Sequence, residues 1–144
     1  MSKSHQLAWA AGFIDGDGFI TIQNRNQTIK GKVYKGHYLR IGACQANRTP
    51  LEELQKLFGG NINIKNSGPN KENYKRKTQY LWCLSTAKAA EVIEQLLPYL
   101  IHKKEVARLG LEFQSTMSNF KVTDEVWNRR EELKSKIQAI NSLS

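Results

Sequence analysis

The sequence predicts an α+β fold whose elements follow the order αββαββα, with further helices after them. Apolar residues first recur at helical spacing, and the apolar period then changes to the alternation of a half-buried strand. This change occurs twice, and each time two alternating stretches are joined by a polar loop, as in an antiparallel hairpin. The 144 residues are expected to form one domain, residues 1–144, because a chain of this length buries a sufficient core by itself.

The first helix is expected over residues 4–15, with Ser4 as its N-cap and a stop at Gly16 and Gly18. The two strands of a first hairpin should follow. One side of this hairpin is apolar and is expected to contact the core; its residues are Ile20, Ile22, Leu39, Ile41 and Ala43.

The second half repeats this order without repeating the residues. A helix should begin near Pro50 and end at Gly59, and a second hairpin should follow. The apolar residues of that hairpin are Ile62, Ile64, Tyr80, Trp82 and Leu84. Three more helices are expected, one that ends at Pro98, one over about residues 103–116, and one from Val126 to Ile140.

The basic residues are concentrated in the two predicted hairpins. The formal charge is +9; residues 19–49 hold six Lys or Arg and no acid, and residues 61–85 hold five and one Glu. A net positive charge by itself attracts any anionic partner. Its concentration on an alternating sheet is typical of a nucleic-acid-binding module.

Cys44 and Cys83 match no zinc or CxxC spacing, so we expect two reduced thiols. Two cysteines in a chain of this size indicate a cytosol-like reducing compartment, such as a bacterial cytoplasm or an organelle interior. The sequence contains no long apolar run and no signal-peptide pattern, and no membrane partner is expected.

Two carboxylates, Asp15 and Asp17, lie at the predicted C-terminus of the first helix. The helix dipole already places partial negative charge there, so both acids are unfavourable for stability. Because Mg²⁺ binds carboxylate and carbonyl oxygens and takes its other ligands from water and phosphate, the pair indicates a hard-cation site. The alternative is structural: Asp15 could form a turn, although the strand pattern that follows offers no helix to cap.

Residues 10–18, AAGFIDGDG, resemble the motif that names the LAGLIDADG homing endonucleases. The spacing of Gly12, Asp15, Asp17 and Gly18 matches throughout. Residues 45–48 resemble the Gln-containing turn of that family, and residues 98–104 resemble its Lys-bearing segment. The resemblance covers about residues 5–115 and leaves a C-terminal helical extension over about residues 119–144.

The resemblance implies a metal-dependent DNA endonuclease that hydrolyses phosphodiester bonds in double-stranded DNA at a long, near-palindromic site. It gives catalytic roles to Asp17, Gln45 and Lys103, and metal binding to Asp17 and the carbonyl of Gly16. Mg²⁺ is the expected cofactor, Mn²⁺ should substitute for it, and Ca²⁺ should support binding without cleavage.

This sequence departs from the family pattern at Ala46 and Asn47, where many relatives have a Lys-Asp pair. The electropositive part of the pocket then needs another basic residue. Arg48 and Lys104 are further candidates for that charge.

Because the chain carries one motif, the resemblance implies a homodimer in which the first helices of two copies meet at a twofold axis. Ala8, Ala11 and Gly12 are small residues on neighbouring turns and would allow a second backbone to approach, although such residues are often ordinary packing. With Asp15 they form the expected dimer interface.

The polar side of the strands is expected to contact DNA in the major groove, where Arg suits guanine and Asn or Gln suits adenine. These residues are Thr21, Gln23, Arg25, Gln27, Tyr38, Arg40, Asn61, Asn63, Lys65, Lys77 and Gln79. About half should touch base edges, and the others phosphates or nothing. Further phosphate contacts are expected from the hairpin loops and from the last helix, through Lys30, Lys32, Lys35, Lys71, Lys75, Arg76, Arg129, Arg130, Lys134 and Lys136.

Three other functions fit parts of the sequence. The same fold could serve as an intron RNA splicing cofactor (a maturase), as a DNA-binding regulator with a decayed nuclease site, or as a general basic nucleic-acid module. The presence of both Asp15 and Asp17 argues against decay. The sequence shows no flanking splicing motifs, so we expect an intron-encoded or free-standing gene and a role in intron homing.

Overall fold

A computed structural model describes residues 2–66, 68–72, 74–118 and 122–143. Its first half contains two repetitions of one helix and two strands. The elements are α1 (Lys3–Asp17), β1 (Gly18–Ile29), β2 (Lys32–Gln45), α2 (Arg48–Phe58), β3 (Asn61–Asn66) and β4 (Gln79–Ser85).

Three α-helices follow the second hairpin, with short 3-10 turns at Leu97–Tyr99 and Thr116–Ser118. They are α3 (Thr86–Leu96), α4 (Lys104–Ser115) and α5 (Asp124–Ser142). The predicted α+β fold and its element order are confirmed. Residues 119–121 and 144 of the predicted C-terminal extension lie outside the described residues.

The four strands form one antiparallel sheet in the order β1-β2-β4-β3. The β1–β2 hairpin is paired along its whole length, from Gly18 opposite Ala43 to Ile29 opposite Lys32. Only residues 40–45 of β2 also pair with β4. The tip of the β1–β2 hairpin therefore extends beyond the other two strands.

The helices pack on one side of the sheet, against the apolar residues that the alternation predicted. Ile20, Ile22 and Leu39 are buried there, together with Ile41, Ala43, Trp82 and Leu84. Helix α4 approaches so closely that a Cβ on Gly110 would lie 2.9 Å from Leu39 Cδ1. Among the described residues, no helix is long and apolar enough to cross a bilayer.

Ile64, an apolar residue of the second predicted hairpin, does not lie in the core. Its side chain is 64% exposed, because β3 is an edge strand and its pairing with β4 shifts between Ile64 and Asn66. The apolar alternation there continues past the part of the sheet that the helices cover.

The predicted ends of the first two helices are also corrected. Helix α1 begins at Lys3 with Ser2 as its N-cap, whose hydroxyl accepts a 3.3 Å hydrogen bond from the His5 amide. It continues through Gly16 and stops before Gly18, where a Cβ would lie 2.8 Å from Ile14 Cα and 2.9 Å from the Gly42 carbonyl oxygen. The close packing at Gly18, and not the helix propensity of Gly16, sets this end.

Helix α2 begins at Arg48, two residues before the predicted start, with Asn47 as its N-cap. The Asn47 side chain accepts a hydrogen bond from the Thr49 amide at 3.0 Å. Pro50 fits in the first turn because the amides of that turn have no partner within the helix.

Helix α5 packs along the core side of the β1–β2 hairpin, from its middle, at His37 and Asn24, to the carbonyl of Ile20 near its base. His37 of β2 is buried, its Nε2 donates a 2.8 Å hydrogen bond to Glu131 of α5, and its ring lies 4.3 Å from the ring of Trp127. Thr123 is the N-cap of this helix, and its hydroxyl accepts a hydrogen bond from the Val126 amide.

Of the basic residues of α5 predicted to contact phosphates, Arg130 is buried, and the prediction for this residue is wrong. Arg130 is 4% exposed and donates to the Oγ1 and carbonyl oxygen of Thr116 at 3.0 and 2.9 Å. Arg129 and Lys136 pair with acids of α4 or α5, and Lys134 donates to Asn24. Arg129, Arg130 and Lys134 therefore connect α5 to other elements, whereas Lys136 pairs within the helix.

We expect Glu131→Gln to lower the free energy of unfolding by about 1 kcal/mol at pH 7, because it replaces a charged acceptor that is partly exposed. The hydrogen bond from His37 lowers the pKa of the Glu131 carboxyl below its usual 4.5. The stabilisation is therefore present above pH 4.5 and is lost as the pH falls through the lower pKa of the folded state. Urea unfolding at pH 7 and at acidic pH measures this difference.

Glu132→Gln is the matched control, because Glu132 pairs only with exposed Arg129 and Lys136 on the surface and solvent screens such pairs. Equal losses in the two variants would show that the His37 contact does not hold α5 to the hairpin.

Candidate active site and polar sheet face

The C-terminus of α1 places Asp17 at the edge of the sheet, beside the end of β2. Gly18 pairs with Ala43, so Gln45 comes next to the last turn of the helix. Gln45 Nε2 donates a 2.8 Å hydrogen bond to Asp17 Oδ2. Asp17 is exposed, so its carboxylate remains open to a ligand.

Asp15 has a role that the sequence did not reveal. Its Oδ2 accepts a hydrogen bond from the Ile101 amide at 2.7 Å and its Oδ1 accepts one from the Lys103 amide at 2.9 Å. The Lys103 ammonium donates to the Asp15 carbonyl oxygen at 3.3 Å. Asp15 therefore fixes the segment before α4 against the end of α1.

The electrostatics of two helix ends explain why Asp15 is tolerated at its position. A carboxylate is unfavourable at the C-terminus of α1 but favourable at the N-terminus of α4, where free amides carry partial positive charge. Asp15 lies at both ends at once. Asp17 contacts no such amide, and among the described residues its recorded hydrogen bond is the one from Gln45.

The three residues predicted to be catalytic lie at the last turn of α1. Asp17 lies at the end of α1, Gln45 contacts its carboxylate, and Lys103 contacts the carbonyl of Asp15 in the same helical turn. Arg48 lies near this group, with its guanidinium 4.9 Å from the ring centre of Tyr80.

The exposed side of α1 carries small residues at a spacing of four: Ala8, Gly12 and Gly16. The prediction that Ala11 forms part of a dimer interface is wrong, because its side chain has no exposed surface and packs in the core of its own chain. Asp15 is also used within the chain, as described above. Gly12 is exposed, and a Cβ there would meet no atom within 4 Å.

Two aromatic rings lie beside this small-residue side of α1. Trp9 is 37% exposed and stacks on Phe13 with 5.7 Å between ring centres. Next to Trp9, a groove of about 270 Å³ between α1 and α2 is lined by Gln6, Trp9, Thr49, Pro50, Glu53 and Leu57.

The side of the sheet opposite the helices carries most of the residues predicted to bind DNA. The strand register places these residues together on it, and we call this surface the polar sheet face: Thr21, Gln23, Arg25, Gln27, Tyr38, Arg40, Asn61, Asn63 and Gln79. Lys65 lies at the register shift of β3. Lys77 lies two residues before β4, so its prediction as a strand residue is wrong.

Aromatic rings support the basic side chains near this face. The Arg40 guanidinium lies 5.2 Å from the ring centre of Phe19, and that of Arg25 lies 4.5 Å from the ring centre of Tyr38. Gly42 makes room for Phe19, because a Cβ there would lie 2.7 Å from the ring. Phe19 alternates along β1 in phase with Thr21 and Gln23, and this spacing indicates that its ring lies on the polar sheet face. The sequence analysis did not include Phe19 in that face.

Both cysteines, Cys44 and Cys83, are free in the structure. No group of three or more His, Cys, Asp or Glu side chains that could hold a metal occurs in the part of the chain that is described. Asp17 thus contributes a single carboxylate, next to the carbonyl groups of the last helical turn.

Comparison with known proteins agrees with this fold. The profile of the LAGLIDADG endonuclease family matches residues 10–118, and the chain belongs to this family. No curated protein matches the chain.

Solved structures of homing endonucleases share the fold. One is I-CvuI in complex with a DNA target in the presence of Mg, with a TM-score of 0.75, 23% identity, and coverage of 95% of this chain and 82% of that one. The archaeal intron-encoded I-Vdi141I, complexed with DNA, has a TM-score of 0.75, 18% identity, and coverage of 96% and 86%. A variant of I-SmaMI has a TM-score of 0.68 and 22% identity over 90% of this chain, which spans 43% of that longer protein.

We expect Asp15→Asn and Asp17→Asn to change stability in opposite directions. Asparagine at position 15 has no charge and offers one acceptor oxygen to two amides. It should lower the free energy of unfolding by about 1–3 kcal/mol. Asparagine at position 17 keeps an acceptor for Gln45 and removes a negative charge from a helix C-terminus. The free energy of unfolding should therefore rise by about 0.3–1 kcal/mol. Urea unfolding of the two variants measures both changes.

Hydrogen exchange at the Ile101 and Lys103 amides gives a local control, since only Asp15→Asn should accelerate it. A loss of stability in Asp17→Asn as large as in Asp15→Asn would mean that Asp17 also holds the fold together.

Proposed function

We propose that the protein is a site-specific double-strand DNA endonuclease that acts as a homodimer with a divalent metal. The observation that carries this proposal is the placement of Asp17, Gln45 and Lys103 around the end of α1, next to a sheet face with polar and basic side chains. Membership of the LAGLIDADG endonuclease family supports it, and so do neighbours solved in complex with DNA.

The residues at the end of α1 fit a hard divalent cation such as Mg²⁺. Asp17 offers an exposed carboxylate, and Gly16 lies in the last turn, where helix carbonyls lack intrahelical partners. Both are oxygen donors of the kind that Mg²⁺ prefers, with the remaining ligands left to water and phosphate. When bound, such a cation neutralises charge on the phosphate and makes water easier to deprotonate. Mn²⁺ should replace Mg²⁺, and Ca²⁺ should support binding alone.

The neighbouring side chains have distinct tasks in this proposal. Gln45 holds one carboxylate oxygen of Asp17, which fixes the orientation of the carboxylate. Lys103 brings a positive charge to the last turn of α1 and is held there by the backbone contacts of Asp15. Its ammonium is suited to stabilise the charge that develops on the phosphate during hydrolysis.

A second copy of the chain would complete the site. One motif per chain supplies one carboxylate, and the small exposed residues Ala8, Gly12 and Gly16 allow the α1 helix of another protomer to approach closely. Trp9 and the groove beside it extend this contact with apolar surface. A twofold axis at α1 would place two polar sheet faces along one DNA duplex and favour a near-palindromic target.

The length of β1 indicates the size of each half-site. Its 12 residues span about 40 Å at about 3.3 Å per residue, which is the length of about 12 base pairs. Two protomers would therefore contact a target of about 20 base pairs or more.

We expect Asp17→Asn to lower the rate of DNA cleavage by about a thousandfold or more, because it removes a metal ligand at the reacting phosphate. DNA binding should stay near that of the unchanged protein, since one negative charge is removed from the surface that meets DNA. The assay is cleavage of a plasmid library with randomised near-palindromic sites in Mg²⁺, Ca²⁺ or EDTA, with sequencing of the ends.

Glu94→Gln is the control for this assay, because Glu94 is an exposed acid on α3 that contacts none of the residues above. Joint loss of cleavage and binding in Asp17→Asn would mean that the residue is mainly structural. Specific binding by the unchanged protein without cutting in any metal would instead favour a regulator, and binding to structured intron RNA would favour a maturase.

We expect Gly12→Lys to convert the protein to a folded monomer that does not cut both strands. The monomer has space for the side chain, and replacing a helical glycine should add roughly 0.5–1 kcal/mol of stability. Two lysines facing each other across the twofold axis would block the approach of the helices. Sedimentation of the unchanged protein and of Gly12→Lys, with and without DNA, measures whether each is a monomer or a dimer.

Ala87→Lys is the matched control, because it places the same charge at an exposed position of α3. This variant should remain a dimer. A Gly12→Lys protein that still sediments as a dimer and cuts would exclude α1 as the interface.

A further inference from the structure

Gln23, Arg25 and Tyr38 lie side by side on the polar sheet face, and Tyr38 contacts both of the others. The Tyr38 hydroxyl donates a 2.6 Å hydrogen bond to Gln23 Oε1. The Arg25 guanidinium lies 4.5 Å from the centre of the Tyr38 ring. One aromatic side chain therefore holds a neutral and a cationic hydrogen-bond donor in place.

The strand register explains how Tyr38 reaches both neighbours. Gln23 is the direct cross-strand partner of Tyr38, and Arg25 is the partner of Gly36. Direct partners on one face are about 5 Å apart and diagonal ones about 7–8 Å. Gly36 has no side chain, and a Cβ there would meet only the Arg25 carbonyl oxygen, at 4.0 Å. Arg25 thus has room to lean across onto the diagonal ring.

This arrangement lowers the entropic cost of a contact with DNA. Long side chains such as Gln and Arg lose up to about 2 kcal/mol of rotamer freedom when they are immobilised. Tyr38 is stiffer, with two side-chain torsions, and it restrains Gln23 and Arg25 before DNA binds. Gln23 is held by the hydroxyl of Tyr38, and Arg25 is held by its ring.

The contacts also select which atoms face a ligand. Tyr38 occupies one of the two lone pairs of Gln23 Oε1 and fixes the orientation of the amide, whose Nε2 keeps both of its hydrogens for a partner. A bidentate contact with adenine uses both amide atoms, whereas guanine offers two acceptors, N7 and O6. Arg25 presents donors as well. The group therefore matches bases with acceptor edges in the major groove.

We propose that Tyr38 is a positioning residue for sequence recognition, which sets the base preference at two neighbouring positions through Gln23 and Arg25 and reads no base itself. At each of the two positions the preferred base offers hydrogen-bond acceptors in the major groove. At the position that Arg25 contacts, the preferred base is guanine. This inference rests on the proposed function, since it requires that the polar sheet face lies in the major groove.

The test compares Tyr38→Phe with Tyr38→Leu, because the first removes the hydroxyl and keeps the ring, and the second removes both. Each is made in the full chain together with Asp17→Asn, so that bound DNA is recovered uncut. The proteins select from a library of randomised sites, and sequencing of the bound fraction gives the preference at every position. Gln23→Ala and Arg25→Ala in the same background identify the two positions concerned.

We expect Tyr38→Phe to reduce the preference at the Gln23 position by about fivefold, the effect of one hydrogen bond, and to leave the Arg25 position within about twofold. Tyr38→Leu should reduce both preferences and no others. Combining Tyr38→Phe with Gln23→Ala should add nothing to Gln23→Ala alone, because Tyr38 acts there through Gln23.

Other outcomes overturn the proposal. If Tyr38→Phe weakens all positions equally, or neither of the two, Tyr38 has a general structural role or none in recognition. If it changes a third position that Gln23→Ala and Arg25→Ala leave intact, Tyr38 reads a base directly. If the protein with native Tyr38 selects no sequence at all, the proposed function itself fails, and this result is distinct from a selected sequence that ignores Tyr38.

Discussion

The Asp15 carboxylate joins two helix ends of opposite polarity, and the geometry of the candidate active site depends on this contact. Its two oxygens accept hydrogen bonds from the Ile101 and Lys103 amides, which hold the start of α4 against the end of α1. Lys103 and Asp17 belong to segments far apart in sequence and come together at this junction. A carboxylate at a helix C-terminus, which is unfavourable in isolation, is favourable here because it also serves a helix N-terminus.

Close packing around Gly18 provides the second constraint. The chain turns there from helix to strand against Ile14 and the Gly42 carbonyl with no space for a Cβ, and this fixes the angle between α1 and the sheet. The end of β2 then lies next to α1, where Gln45 reaches Asp17. The same rigid unit orients the polar sheet face relative to the site. A site on helix ends and strands is held more firmly than a site on loops.

Local pattern accounts for the predictions that were confirmed and for those that were wrong. Alternation placed Ile20 and Leu39 in the core because both lie under helices, and the same rule failed for Ile64 on an uncovered edge strand. Helix periodicity gave α1, but small residues carry no direction, so Ala11 was placed on the surface although it packs in the core. Arg130 of α5 was predicted to contact phosphates, but it is buried and bonds to Thr116, which belongs to another element.

The sequence by itself determined the order of elements, the two faces of the sheet and the acids at the end of α1, because these follow from residue spacing along the chain. The family resemblance added the names of Asp17, Gln45 and Lys103. Tertiary structure decided the different roles of the two acids. Asp15 binds backbone amides, and the carboxylate of Asp17 stays open to a ligand. It also decided that Tyr38 contacts both Gln23 and Arg25. These outcomes depend on groups that the fold brings together across long stretches of chain, and spacing along one strand or helix carries no information about them.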